Sequence, residues 1–233
     1  PQAAEEAGPA PDSAARPLVL ITGAAGNLGR SLAAAFAERY TVVGMDRGPN
    51  EPADFPILDV DLTSDDSVEL AFRKLAEEHG TAIASVIHLV AYFDFSGEPS
   101  PLYERVTVDG TRRLLRALQR FDVEQLVFGS TMLVHAACRP GERIDESQPI
   151  APRWAYPESK ARAEEVIRAE HGDIPYLILR LAGVYDEQSS VPTLAQQIAR
   201  VYERDFQSYF YSGSPLVGQS MLHRDDLIDA FRR

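Results

Sequence analysis

The 233-residue chain is poor in cysteine, in lysine and in positive charge as a whole. Cys138 is the sole cysteine, so no intrachain disulfide can form and cysteine-based zinc or iron–sulfur sites are excluded. Nothing in the chain depends on an oxidising compartment, and the cytoplasm is the expected location. Lys plus Arg is 23 against 35 for Asp plus Glu, and the resulting formal charge of −12 disfavours attraction to nucleic-acid backbones or anionic membranes. No apolar run approaches the roughly 18 residues needed to cross a bilayer. What remains is an ordinary globular composition, 45% hydrophobic and 25% charged, at a length that allows one large domain or one domain plus part of a second.

Residues 1–16 combine Ala, Pro and acid without apolar periodicity, and they lack the basic start and hydrophobic stretch of a signal peptide. A disordered tail or linker is expected there. No Met opens the chain, and it closes on Arg232-Arg233 inside a predicted helix that begins near Asp225, so both ends read as artificial. From Leu18 onward short Val/Ile/Leu runs alternate with longer amphipathic stretches. That is the pattern of a parallel sheet with helices on both faces. Strands are predicted at Leu18–Thr22, Thr41–Met45, Phe55–Leu58, Ile83–Leu89, Gln125–Gly129 and Tyr176–Leu181. Helices are predicted at Leu28–Arg39, Ser64–His79, Pro101–Arg120, Ala155–His171 and Val191–Glu203, with Ser64 as an N-cap and Gly80 as a stop.

Directly after the first strand comes Thr22-Gly23-Ala24-Ala25-Gly26-Asn27-Leu28-Gly29, which opens a helix with the apolar stripe Leu28, Leu32, Phe36. Gly23 permits a tight turn, Gly26 presents no side chain to a pyrophosphate, and Gly29 allows close helix–strand packing. The helix N-terminus adds amide donors and a positive dipole end. The spacing is Gly-x2-Gly-x2-Gly rather than the commoner Gly-x-Gly-x2-Gly, so the flanking strand and helix carry the assignment as a dinucleotide loop. Asp46, after the second strand, stands where an acid accepts hydrogen bonds from both ribose hydroxyls of NAD and repels a 2′-phosphate. Arg47 beside it could pair with that phosphate and keeps NADP as the alternative. Asp61-Leu62 follows the third strand where an adenine edge would lie, although an Asp that caps the next segment explains it nearly as well.

Tyr156 and Lys160 lie four residues apart on one predicted helix, so they share a face. An ammonium beside a phenol is expected to lower its pKa toward neutrality and make it a general base. Two of the chain's basic residues are lysines, Lys74 and Lys160, which suggests that a compact ammonium is required at Lys160. A hydroxyl is expected from the end of the fifth strand, where Ser130-Thr131 could hold a substrate oxygen and donate to it as charge develops. His88 and His135 have no ligand-spaced partners and read as satisfied core histidines; no metal site is expected. Glu164-Glu165 reads as a solvated helix face.

These residues resemble the extended short-chain dehydrogenase/reductase family, also called the NAD-dependent epimerase/dehydratase family. The resemblance runs from about Leu18 to Ala230. It is carried by TGAAGNLG, Asp46, Asp61-Leu62, VIHLVA at Val86–Ala91, VDGT at Val108–Thr111, LVFGSTMLVHA at Leu126–Ala136, YPESK at Tyr156–Lys160, LRLAGVYD at Leu179–Asp186 and HRDDL at His223–Leu227. It implies a doubly wound, Rossmann-type α/β fold: a dinucleotide-binding domain over 17–182 and a partial, truncated C-terminal substrate lobe over 183–233. It also implies that Tyr156 is the catalytic acid or base, that Lys160 tunes it and bonds the nicotinamide ribose, and that Thr131 is the catalytic hydroxyl, one residue after Ser130. Gly23, Gly26 and Gly29 would hold the pyrophosphate, and Ala91 would line the cleft. Three departures bear on substrate. Thr107 replaces an Asn linked to proton relay, and Gly183 and Gln219 replace an Asn and an Arg that serve phosphate-bearing sugars. Tyr92-Phe93-Asp94-Phe95 would bring aromatic rings to the nicotinamide edge, suiting an apolar or ring-shaped substrate, with core packing as the plainer explanation. The reading is an NAD(P)-dependent oxidoreductase acting on a small molecule, compatible with a homodimer. The alternatives are a nucleotide-sugar epimerase or dehydratase, or a non-catalytic dinucleotide sensor.

Overall fold

The computed structural model describes residues 16–48, 52–94, 98–139, 141–187, 192–203, 218 and 220–232. Its elements in chain order begin with β1 (Leu18–Thr22), α1 (Asn27–Phe36), β2 (Thr41–Asp46), β3 (Ile57–Asp59), α2 (Asp65–His79), β4 (Ala82–Ile83) and β5 (Ser85–His88). A π-helical turn (Tyr103–Val108) leads into α3 (Asp109–Leu118), followed by β6 (Asp122–Val123), β7 (Leu126–Thr131), a 3-10 turn (Met132–Val134) and α4 (Ala155–Glu170). β8 (Tyr176–Leu181), β9 (Gly183–Tyr185), α5 (Pro192–Tyr202), β10 (Met221–His223) and α6 (Arg224–Phe231) complete it.

Six strands form one parallel sheet in the order β3-β2-β1-β5-β7-β8. The order reverses between β1 and β5, and ligands of open α/β sheets bind above the carboxyl ends of strands at such a switch point. β1 explains why its sequence is apolar without alternation. Leu18 and Leu20 enter one core with α2, α3 and α4, whereas Val19 and Ile21 enter a second core with α1 and, at its margin, Ile228 and Phe231 of α6. With both faces covered, every residue of β1 is buried. The expected Rossmann-type architecture is present.

Helix α2 forms as its ends dictate. Ser64 Oγ accepts the Ser67 amide, Asp65 and Asp66 occupy the first turn, and Gly80 ends the helix at φ 79°. Two expectations need correction. The strand expected at Ile83–Leu89 is split, because Ala82–Ile83 pairs with Asp122–Val123 and Ser85–His88 pairs with β1. The helix expected from Pro101 to Arg120 begins as a π turn. There Thr111 Oγ1 donates to the Thr107 carbonyl at 2.6 Å, and Thr107 Oγ1 accepts the Tyr92 amide at 3.0 Å. Sequence reasoning also missed the two-stranded sheet of β9 and β10. The tail expected at 1–16 lies outside the described residues except for Arg16. No helix among the described residues is long and apolar enough to cross a membrane.

Candidate active site

The glycine turn sits at the switch point as its sequence requires. Gly23 takes φ 75°, a region glycine enters at no steric cost, and its amide donates to the Met45 carbonyl of β2. Gly29 packs α1 onto this turn. A Cβ at Gly29 would lie 2.7 Å from the Ala24 Cα and closer still to the Gly23 carbonyl oxygen. Both obstacles are backbone and cannot swing away. Gly29→Ala is therefore expected to cost about 3 kcal/mol of stability and to weaken dinucleotide binding, read from urea unfolding and calorimetric titration. An unchanged unfolding midpoint would mean that α1 shifts freely.

Gly26, the N-cap of α1, supplies no side-chain acceptor, so the first amides of the helix are left for a ligand. Gly23, Gly26, Asn27, Leu28 and Gly29 all line a cleft of about 1300 Å³. Ala91, Ser130, Thr131, Tyr156 and Lys160 line the same cleft. Four predicted residues do not. Asp46 stands behind the loop, with Oδ2 accepting the Ala25 amide at 2.8 Å and Oδ1 accepting the Arg47 amide at 2.7 Å. The Arg47 side chain is exposed. Asp61 Oδ1 accepts the Thr63 amide at 2.8 Å, so Asp61 has the local turn-capping role that sequence reasoning held as its alternative. Burial raises the Asp61 pKa, but the hydrogen bonds from Thr63 outweigh it and leave the carboxyl below its ordinary value. Leu62 belongs to the core with α2 and α3.

Tyr156 opens α4 and is mostly buried, with Phe93 edge-on to its ring at 4.8 Å. Lys160, one turn on, is 2% exposed; its Nζ donates to the Gly129 carbonyl at 2.6 Å and lies 4.5 Å from the centre of the Phe128 ring. The expected lowering of the phenol pKa does not occur. Burial, with the neighbouring Tyr103 phenol, pushes Tyr156 up to about 12. Burial also brings Lys160 down to about 7, against the field of Glu164, which raises it. One N–H of the ammonium goes to a backbone carbonyl and desolvation governs both groups, so the phenol stays protonated at neutral pH.

The two hydroxyls at the end of β7 part ways. Ser130 Oγ donates to Glu164 Oε1 at 2.6 Å and is thereby occupied. Among the described residues Thr131 Oγ1 only accepts, from the Leu133 amide at 3.3 Å, which leaves its hydroxyl proton for a ligand. Glu164 is the main residue that sequence reasoning misjudged: it is fully buried rather than solvated. The signal was present, since Tyr156, Lys160 and Glu164 follow one another at intervals of four. The loop carrying Cys138, Arg139 and Ile144 also lines the cleft, and no sequence signal pointed to it. Of the aromatic run, Phe93 lines the cleft and Tyr92 packs edge-on against Tyr103, whereas Phe95 lies outside the described residues. Gln219 also lies outside them.

His88 is a satisfied core histidine, as expected. Its Nε2 is 3.0 Å from Thr111 Oγ1, whose own proton goes to the Thr107 carbonyl, so Nε2 carries hydrogen and Nδ1 accepts from Thr22 Oγ1 at 2.6 Å. His135 is likewise placed, with Nδ1 on the Gln148 carbonyl at 2.9 Å.

A glycine turn uncapped toward a cleft thus shares that cleft with a phenol, an ammonium and a hydroxyl. Residues 19–233 match the NAD dependent epimerase/dehydratase family. This chain belongs to that family. The sterol-4-alpha-carboxylate 3-dehydrogenase (decarboxylating) of Schizosaccharomyces pombe is 34% identical over 128 residues, covering 54% of this chain and 35% of the relative. The L-arabinose 1-dehydrogenase (NAD(P)(+)) of Haloferax volcanii is 32% identical over 158 residues, 63% of this chain and 58% of the relative. Among solved structures, the UDP-glucose 4-epimerase of Thermus thermophilus in complex with NAD superposes with TM-score 0.74 at 27% identity, covering 92% of this chain and 73% of that one. The chain spans between about a third and about three-fifths of the length of the curated relatives it matches.

Proposed function

We propose that this family member is the cofactor-binding part of an NAD-dependent oxidoreductase, and that Tyr156 exchanges the proton of a substrate hydroxyl or carbonyl. One observation carries the reading. A single cleft joins the uncapped start of α1 to Tyr156, Lys160 and Thr131. The residues fit a dinucleotide: free amides and glycines without side chains would hold the pyrophosphate, and Lys160 would bond the nicotinamide ribose. Asp46 lies just behind the loop, with lone pairs left on both oxygens for adenosine ribose hydroxyls. When bound, NAD supplies the hydride acceptor or donor. Everything else falls to the chain. Thr131 donates to the substrate oxygen, Tyr156 gives or takes its proton, and Phe93 shields the phenol from water.

The similar epimerase structure, a complex with NAD, speaks for NAD, and the names of the similar dehydrogenases speak for a sterol or a sugar as substrate. Phe93, Met132, Leu133 and Ile144 on the cleft wall favour a substrate with an apolar or ring-shaped body. Calorimetric titration tests the cofactor: NAD binds more tightly than NADP, and Asp46→Asn narrows the gap by about tenfold, the loss of one good charge-assisted contact. Tighter binding of NADP to the unaltered chain would reject the role given to Asp46. A panel of sugars, uronates, steroids and aromatic carbonyls, followed at the NADH absorbance band in the intact protein, then finds the substrate.

A further inference from the structure

Helix α4 presents Tyr156, Lys160 and Glu164 at successive intervals of four, so the three lie in one stripe. The first two face the cleft and the third does not, yet Glu164 is the most heavily bonded side chain near the site. Ser130 Oγ donates to Oε1 at 2.6 Å. The Arg180 guanidinium of β8 spans both oxygens, Nε to Oε1 at 3.0 Å and Nη2 to Oε2 at 2.7 Å. Arg168, one turn further along α4, donates to Oε2 at 2.8 Å.

We propose that Glu164 is a positioning residue for this site, fixing the end of β7 against α4 and sustaining the ammonium of Lys160. The inference rests on the reading of Lys160 as the ammonium that meets the cofactor. Two observations carry it. First, Lys160 leans on the Gly129 carbonyl and the Phe128 ring, the two residues before Ser130. The carboxylate that holds Ser130 therefore holds the strand segment on which the ammonium rests. Second, Lys160 is almost wholly buried, and the groups around it leave Glu164 as its carboxylate. From β7 it meets a carbonyl and a ring, from β5 the neutral His88, and on its own helix Tyr156, a protonated phenol, and Glu164. Burial alone would raise the Glu164 pKa; Arg180, Ser130 and Arg168 outweigh it, so the carboxylate stays charged.

The same carboxylate reaches the cleft's outer loop. Arg180 Nη1 meets His135 Nε2 at 3.2 Å, and because His135 Nδ1 gives its proton to the Gln148 carbonyl, Nε2 is the acceptor. His135 also bridges Ile150. Both feet of the segment carrying Cys138, Arg139 and Ile144 are thus tied through Arg180 to Glu164. Glu146 is the further charge felt by that arginine.

The chain's two lysines make a direct test available. With 13C- and 15N-labelled lysine, the side chains of exposed Lys74 and buried Lys160 give two resonances, and their titration is followed by NMR in the unaltered chain and in Glu164→Gln. The Lys160 midpoint, which burial brings down to about 7 in the unaltered chain, is expected to fall by more than about one pH unit in the variant. Glu164→Asp, which keeps the charge, restores most of the midpoint. Should Glu164→Gln not fold, Ser130→Ala carries the test. It frees the strand end while leaving the carboxylate, and the Lys160 midpoint falls by a smaller but measurable amount. An unchanged Lys160 midpoint in the folded variant overturns the proposal. This readout needs neither substrate nor turnover, so it can fail while the oxidoreductase reading stands, and the reverse.

Discussion

Replacing Tyr156 by Phe in the intact protein is expected to lower turnover by roughly 10²–10⁴-fold, the usual contribution of a positioned acid or base, while NAD affinity stays within about twofold. The phenol lines the cleft at the start of α4, and its ring is held edge-on by Phe93. Phenylalanine keeps that ring contact and removes only the hydroxyl. Lys160, the group assigned to the nicotinamide ribose, keeps its bond to the Gly129 carbonyl. Proton transfer is lost and cofactor binding is not. Turnover is read at the NADH band and affinity by calorimetry; undiminished turnover would remove Tyr156 from the chemistry. The direction of reaction also bears on this prediction. With the phenol held up to about 12, the proposed role of Tyr156 at neutral pH would be to donate a proton to a carbonyl rather than to accept one from a carbinol.

The second large effect is acid lability through His88. This ring is wholly buried between Thr22 and Thr111, and burial, with the nearby Lys160 ammonium, lowers its pKa to about 3 from the ordinary 6.5. Between those values the unfolded chain binds a proton that the folded chain refuses. Stability is therefore intact above about pH 6.5 and declines as the pH falls toward 3. The full decline from this one group is about 5 kcal/mol by linkage. The bonding pattern gives the same answer as the burial. Thr111 has no proton to spare for Nε2, so a second ring proton at Nδ1 would face the Thr22 hydroxyl and displace its hydrogen bond. Urea unfolding at a series of pH values measures the slope. His88→Gln is expected to be less stable at pH 7, having lost two buried ring hydrogen bonds, and to show a flatter decline below pH 6.5. Parallel slopes in the two proteins would mean that acid lability arises elsewhere.

Much of this molecule is legible in its sequence because central strands such as β1 and β7 are buried on both faces. Leu18–Thr22 and Tyr176–Leu181 are predicted with the bounds they have, and Ser64 and Gly80 mark the α2 ends through local bonding that needs no tertiary information. The glycine turn is readable for the same reason, since its steric demands lie within a few residues. What sequence did not disclose depends on contacts between distant segments. The π turn before α3 goes with hydrogen bonds of Thr107 and Thr111 to groups on neighbouring elements. The choice between Ser130 and Thr131 is made by Glu164, thirty-four residues on from Ser130, which Arg180 on another strand holds with two hydrogen bonds. The direction of the Tyr156 shift could not be read either. Spacing brings an amine near a phenol, but burial decides which effect wins.

The central claim is that a dinucleotide lies across the carboxyl ends of β1, β5 and β7, and a crystal structure of this protein with NAD tests it most directly. The pyrophosphate is expected on the amides of Asn27 to Gly29, with the nicotinamide ring beside Tyr156 and Thr131 and its ribose on Lys160. A pyrophosphate bound away from the start of α1, or a nicotinamide ring out of reach of Tyr156, would contradict it.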